Sequence, residues 1–417
     1  MPSRLVLTAV ALATATLFAC RESSLTTTDA ALVAEVPALL ERSAPTRHGA
    51  EWDDVQGAYQ RHRLAFEADP AAALDALALV ELFVQEARVT GEHGHYYPAA
   101  LALTDRVLAL PDLTEDHRFY ALTLRSGVQL SQHEFAEALA TGREAAALRP
   151  RDAQAQGVLV DAYVELGDYE RAVAASDAMV ARRPDLRSYA RISYLREIHG
   201  DVAGAKEAML MAARSAPPGS EEAAWATLEL AQLLDRHGDR EDAEQVLGLI
   251  LRDRPGYPFA QGALAKMRLR DGEYAAANTL LDEAIAAIPE IGFYSTLARL
   301  HRATGNREAF ATTTREIELM LADDVASGHN MDLEYADYYL DLRDDPETAL
   351  TYMLRAYEAR PDNIDVNREL ARIYRALGDE AKVAEHRARA ARTNSRHPDL
   401  LELAGAPAAS SPQATAG

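Results

Sequence analysis

The side chains best suited to chemistry stand in one short run, Gly91-Glu92-His93-Gly94-His95-Tyr96-Tyr97. Two imidazoles one residue apart, with a carboxylate beside them, are ligands of the kind that hold zinc, copper or nickel. A third ligand at defined spacing is missing, although His117 and His133 exist elsewhere in the chain. His93 and His95 are therefore the metal candidates, and the same run fits a polar turn between two helices. His133-Glu134 opens like a zinc-protease motif, but the second His of that motif is absent. A hydrolytic dyad would have to be drawn from the carboxylate pairs Asp53-Asp54, Glu221-Glu222, Asp323-Asp324 and Asp344-Asp345. All four fall at expected turns and helix starts, where acids complement the helix dipole. There is no Gly-rich phosphate loop and no G-x-S-x-G run. The single cysteine, Cys20, rules out an intramolecular disulfide and a Cys-rich metal site. The reading expects no catalytic residue and no cofactor.

Composition points the same way. The chain has 417 residues, with 43 Lys and Arg against 65 Asp and Glu, a net charge of −22. Nucleic-acid binding needs clustered basic residues to neutralise phosphates, so that class is not expected. A polybasic membrane-surface binder is disfavoured for the same reason. Hydrophobic residues make up 48% of the chain but aromatics only 6%. Alanine and leucine supply the difference, and they favour helix over strand. The expected class is all-α.

The N-terminus reads as an address. Arg4 is followed by an uncharged stretch from Leu5 to Ala19. That stretch is shorter than the roughly 20 residues a membrane-spanning helix needs, and it fits the apolar part of a signal peptide. It ends in Leu17-Phe18-Ala19-Cys20, which resembles the lipobox of bacterial lipoproteins. Leu17, Ala19 and Cys20 match that pattern, whereas Phe18 stands where a smaller residue is usual. The resemblance implies a signal peptide over 1–19 and lipidation at Cys20. Arg21, in place of the Asp that retains many lipoproteins at the inner membrane, implies the outer membrane, facing the periplasm. The membrane would be reached through the N-terminal lipid only. Residues 71–84 are apolar but carry Asp75 and Glu81, so they are expected as a buried helix.

The elements that would position the candidate residues come from a repeat of about 34 residues. Each unit is a helix, a Gly-Asp turn, an Ala, a second helix and a Pro. Clear copies turn at Gly167-Asp168-Tyr169, Gly200-Asp201, Gly238-Asp239 and Gly272-Glu273-Tyr274, followed by Ala172, Ala205, Ala243 and Ala277. Weaker copies turn at His95, His133, Gly305, Asp344 and Gly378. Glycine closes the first helix in the left-handed conformation, the acid caps the second, and alanine lets the pair approach. A single pair cannot bury its apolar face, so the units must stack.

This pattern resembles the tetratricopeptide repeat family. The resemblance implies a right-handed superhelical solenoid of about nine helix-turn-helix repeats over 71–403. Around it lie a flexible tether over 20–50, with a short helix within Leu32–Arg42, a capping helix over 51–70 and a disordered tail over 404–417. It also implies a non-catalytic scaffold that binds another protein or a peptide on the concave face, lined by the first helix of each repeat. Projected onto that face, the candidate partner-binding residues are Asp161, Arg191, Tyr194, Gln232, Lys266, Arg299, Arg302, Tyr338, Arg368 and Arg372. Their arginines and Lys266 would form a basic stripe suited to an acidic peptide or a C-terminal carboxylate. Two other roles remain open: a metal-delivery accessory using the His93/His95 turn, and an enzyme acting on envelope polymers with acidic groove residues.

Overall fold

The computed structural model describes residues 36–405. The signal-peptide and Cys20 expectations, and most of the tail, lie outside these residues. Among the described residues there are helices and no strand. A first helix, α1 (Glu51–Ala68), is followed by nine antiparallel pairs. They are α2 (Ala73–Thr90) with α3 (His93–Leu108), α4 (Glu115–Ser131) with α5 (Phe135–Leu148), α6 (Ala153–Glu165) with α7 (Tyr169–Arg182), and α8 (Leu186–Ile198) with α9 (Val202–Ser215). Then come α10 (Glu221–Arg236) with α11 (Arg240–Asp253), α12 (Pro258–Arg270) with α13 (Tyr274–Ala287), and α14 (Ile291–Ala303) with α15 (Arg307–Ala326). The last two pairs are α16 (Asp332–Asp337) with α17 (Pro346–Ala359) and α18 (Ile364–Leu377) with α19 (Glu380–Ala390), before a short α20 (Pro398–Glu402). The chain is an all-α solenoid.

One backbone feature repeats in every pair. The residue that ends the first helix has positive φ at positions 91, 133, 167, 200, 238, 272, 305, 344 and 378. Glycine holds seven of these positions, while His133 (φ 62°) and Asp344 (φ 51°) hold the other two. The following residue caps the second helix by accepting a backbone N–H at Asp168, Asp201, Asn306, Asp345 and Asp379. Five residues past the turn, Ala138, Ala172, Ala205, Ala243, Ala277 and Ala349 are fully buried. With only a methyl group there, the helices of a pair pack closely. In two repeats a serine of the first helix uses that approach: Ser126 and Ser193 each donate to the carbonyl of the facing alanine, at 2.8 Å.

Two expectations change. The first turn is at Gly91-Glu92 and not at His95. Gly91 takes the left-handed conformation, so His95-Tyr96-Tyr97 continue as helix, and Tyr96 is fully buried with its hydroxyl accepting from Leu40 N at 3.0 Å. The described part of the segment expected as a tether is packed on the solenoid. It forms no helix up to Arg42, only a short 3-10 turn at Ala44–Thr46. Arg42 is buried in a two-pronged ion pair with Glu86, at 2.9 and 2.5 Å, and Val36 joins the core of the first repeats.

The solenoid also closes on itself. The turns of early repeats touch the connections between repeats some 195–198 residues later. Asn330 N donates to Gln132 O at 3.0 Å, and the His133 ring lies 2.8 Å from Asn330 O. One repeat on, Arg360 pairs with Glu165, Asn363 donates to Glu165 O at 2.9 Å, and Ile364 N donates to the Tyr169 hydroxyl at 2.9 Å. Arg392 donates to both Gly167 O and Asp362 O. Near the start of the chain, Arg254 binds Glu51 through both carboxylate oxygens. About six repeats thus complete one superhelical turn, and the next turn stacks directly on it.

Candidate functional site

The stacked turns enclose a cavity of about 530 Å³. One wall comes from the turns of the first superhelical turn, with Gly91, Glu92, His93, Ser131 and His133. The other comes from the second: Glu290 and Ile291 at the start of α14, Arg299 further along it, the end of α15 (Met320, Asp323, Asp324) and His329, Glu334 and Asp337. Lys266 on α12 also faces it. An adjoining cavity of about 390 Å³ shares Ser131, His133 and Glu334 and extends to Asp161, Glu165, Arg360 and Asp365.

The arginines of the expected stripe are already paired within the protein. Arg191 forms a two-pronged ion pair with Asp161. Arg299 and Arg372 converge on Asp341, each at 2.8 Å. Arg302 donates to the carbonyls of Asp341 and Leu342. Those carbonyls end a π-helical stretch, Tyr338–Leu342, that continues α16, and arginine satisfies groups the helix leaves open. Arg368 pairs with Asp365 and Glu369, and Arg372 also pairs with Glu369. Tyr194 donates to Asp365 across the two superhelical turns at 3.0 Å. Tyr338 is 4% exposed and donates to Glu318 at 2.6 Å, so it forms wall and not free surface. Of the ten residues only Gln232 and Lys266 make no hydrogen bond or ion pair. The Lys266 amine is open to the cavity solvent yet enclosed by protein. That enclosure, with Arg299 and Arg270 nearby, pushes its pKa below the usual value.

The two histidines of the sequence run part company. The His95 ring lies 2.8 Å from Ala38 O and meets Tyr96 edge-on. The His93 ring stacks on Tyr97 with centroids 5.3 Å apart, and it faces His329 at 5.8 Å. Burial, then His329 and His133, push His93 down to about 4, so it is neutral at ordinary pH. Among the described residues no three His, Cys, Asp or Glu side chains are arranged to hold a metal ion.

Sequence reasoning gave Asp323-Asp324 as a carboxylate pair at a turn, but did not single out Glu290 or Asp337. The Glu290 side chain has no hydrogen bond or ion pair; burial first, then Asp324, push its carboxyl up to about 7. Asp324 is pushed up to about 6 by burial, with Asp323 and Glu334 adding to the effect. Asp337 is raised by burial and by Glu369, even with Arg372 3.9 Å away. One signal was available: His133 stands where most turns have glycine, and Ser327–Met331 lengthens the connection that reaches it.

Comparison with known proteins bears on the repeat. Residues 129–197 match the tetratricopeptide repeat family. The matched TPR segment runs from the end of α4 through α8, and it contains His133, Asp161, Glu165, Gly167, Arg191 and Tyr194. No curated protein matches the chain. Among solved structures, a tetratricopeptide repeat protein from Parabacteroides merdae is 16% identical over 58% of this chain and 93% of its own, with a TM-score of 0.42. PilF of Pseudomonas aeruginosa is 15% identical over 49% of this chain and 93% of its own, with a TM-score of 0.40. The Cut9–Hcn1 assembly of the APC/C is 13% identical over 85% of this chain and 65% of its own, with a TM-score of 0.47.

Proposed function

We propose that the chain is an exported, lipid-anchored scaffold that binds a protein or peptide partner in a bacterial cell envelope and does no chemistry on it. The observation that carries the reading is the fold itself: a TPR-containing solenoid whose described residues form one curved wall, with no separate domain beside it. Solenoids of this kind present extended concave surfaces to a partner. The anchor rests on the signal sequence and Cys20, with outer-membrane placement following from Arg21. Among the described residues no helix is long and apolar enough to cross a membrane. Two acyl chains on Cys20 would hold the protein stably.

The structure shifts the partner chemistry. An acidic peptide would need the arginine stripe, and those arginines already pair with carboxylates. Of the ten candidate residues, Gln232 and Lys266 are left without a partner. Photo-crosslinking from position 232 in the native host is expected to give one dominant envelope partner, lost on Lys266→Glu. The absence of any such partner would overturn the scaffold reading. Labelled palmitate is expected on the wild-type chain and not on Cys20→Ala, with loss of membrane fractionation. Fractionation that Cys20→Ala leaves unchanged would overturn the anchor.

A further inference from the structure

The buried polar atoms of the large cavity that lack a partner share one property: they accept hydrogen bonds. His329 is 7% exposed, and its Nδ1 lies 3.2 Å from the carbonyl of Asp324. A carbonyl can only accept, so Nδ1 carries the proton and Nε2 presents a lone pair. That Nε2 is buried with no partner. Oε2 of Glu334 is also buried with no partner, while the carboxylate stands 4.0 Å from His133 Nδ1. The carboxylates of Glu290 and Asp324 have neither a hydrogen bond nor an ion pair. Leaving the buried His329 Nε2 and Glu334 Oε2 unmet is costly, the more so where charge is involved. Evolved interiors meet such groups with donors.

The protein's own cations do not meet this need. Arg299 is turned to Asp341, and Arg360 to Glu165. The charges felt by Lys266 are those of Arg299 and Arg270, and none of the acids. His93 is too acidic to carry a proton at neutral pH. The walls between the acceptors are apolar, with Ile291, Ile317, Met320 and Met331. Acceptors among methylene and thioether groups suit a ligand with a donor-only head on an aliphatic stem.

We propose that this cavity is a cation site that takes an ammonium or guanidinium group, borne by a free amine or by a lysine or arginine side chain. An ammonium offers three N–H donors and a guanidinium five, and neither accepts. The His329 Nε2 and Glu334 Oε2 would each receive one donor. Glu290 and Asp324 would supply the opposing charge, and burial of the stem against Ile291 and Met320 would add apolar contact. A divalent metal fits less well, because no three ligating side chains converge. Lys266, used to test the partner reading, faces the same cavity, but crosslinking from position 232 tests that reading without reference to amines.

Titration calorimetry of the full chain at pH 7.5 tests it with two probes, putrescine and a blocked pentapeptide carrying one lysine. At least one probe is expected to bind saturably at one site, and to weaken tenfold or more in Glu290→Gln and in Asp324→Asn. Glu347→Gln, an exposed acid on α17, is expected to change nothing. Binding of putrescine alone marks a small-molecule ligand; binding of the peptide marks a side chain of a polypeptide; either upholds the site. No saturable binding of either probe would overturn it. So would binding that Glu290→Gln and Asp324→Asn leave intact, or binding of manganese in place of both amines. A melting curve for each variant shows that the fold is kept.

Discussion

Glu290 is a carboxyl group that the fold holds against its preference for water. Its ordinary value is 4.5, and burial and Asp324 push it up to about 7. Between these values the folded chain keeps a proton that the unfolded chain has released, so this group's contribution to stability falls as pH rises. Asp324, raised to about 6, acts in the same sense. His93 opposes them: its pKa is lowered to about 4, so its contribution is present above 6.5 and lost as pH falls toward 4. His329, lowered by burial, adds to the His93 effect. Replacing Glu290 by Gln isolates one group from this balance. In the absence of ligand, the variant is expected to melt about 1–3 °C above wild type at pH 8. At pH 4.5 the two should melt together. Equal melting at pH 8 would show that the carboxylate is solvated and not held at a cost. None of this was legible in the sequence, where Pro289-Glu290 is simply the end of one repeat. Its pKa is set only when the fold buries it and brings Asp324 near.

The helix pair is the element that the sequence spells out most fully. A buried alanine five residues on marks six of the turns, three of them Gly-Asp, and the left-handed residue recurs in all nine. The exceptions are informative. His95 looked like a turn because its neighbours are polar and aromatic, but the glycine four residues earlier takes the positive φ. The arginines of the first helices looked like a binding stripe because spacing gives the face but not the partners. Asp341, which meets two of them, sits in a π-helical turn that periodicity does not signal. Glycine at the turn has two possible reasons, and substitution separates them. At Gly238 (φ 89°) a Cβ would meet nothing within 4 Å, so Gly238→Ala is expected to cost only the left-handed penalty, about 1–2 kcal/mol. At Gly167 (φ 78°) a Cβ would fall 2.4 Å from the backbone of Asp362. Gly167→Ala should therefore cost about 2 kcal/mol more than Gly238→Ala, by analogy with overpacked cores. Denaturation of the two variants side by side decides it; equal losses would mean that the superhelical turns are not in contact at this point.

At the scale of the whole molecule, the chain departs from the usual energetics of a solenoid. Repeat arrays are quasi-one-dimensional because each unit touches only its neighbours. Here Arg360, Asn363 and Ile364 hold Glu165 and Tyr169, and Arg392 holds Gly167. These contacts lie at the spacing of a superhelical turn, which a 34-residue pattern cannot report. The repeat fixes what each pair does to the next, whereas the pitch depends on small rotations summed over six pairs. The longer connection at Ser327–Met331 was visible as an irregular spacing, but its target, Gln132 and His133, was not. Loss of these clasps should be felt at both ends of the span. In Arg360→Ala/Asn363→Ala, hydrogen exchange is expected to quicken at residues 165–169 as well as at 360–364. Protection around Leu247, in the span between them, should be kept. Faster exchange at 360–364 alone would mean that the clasps hold nothing together.

The same stacking gives the chain a mechanical character. An open solenoid pulled from its ends stretches like a spring, with each repeat yielding a little. This one is a coil whose neighbouring windings are fastened by charged and hydrogen-bonded catches. Under tension the catches near residues 133 and 167 would bear load first, because lengthening the coil must part the windings before it bends a helix pair. Extension should begin with a stiff regime, followed by a sudden gain in length at nearly constant helix content. The wall of the cation site comes from two windings, so it opens at that same step. A protein tethered at one end and held by a partner at the other would release its ligand when pulled.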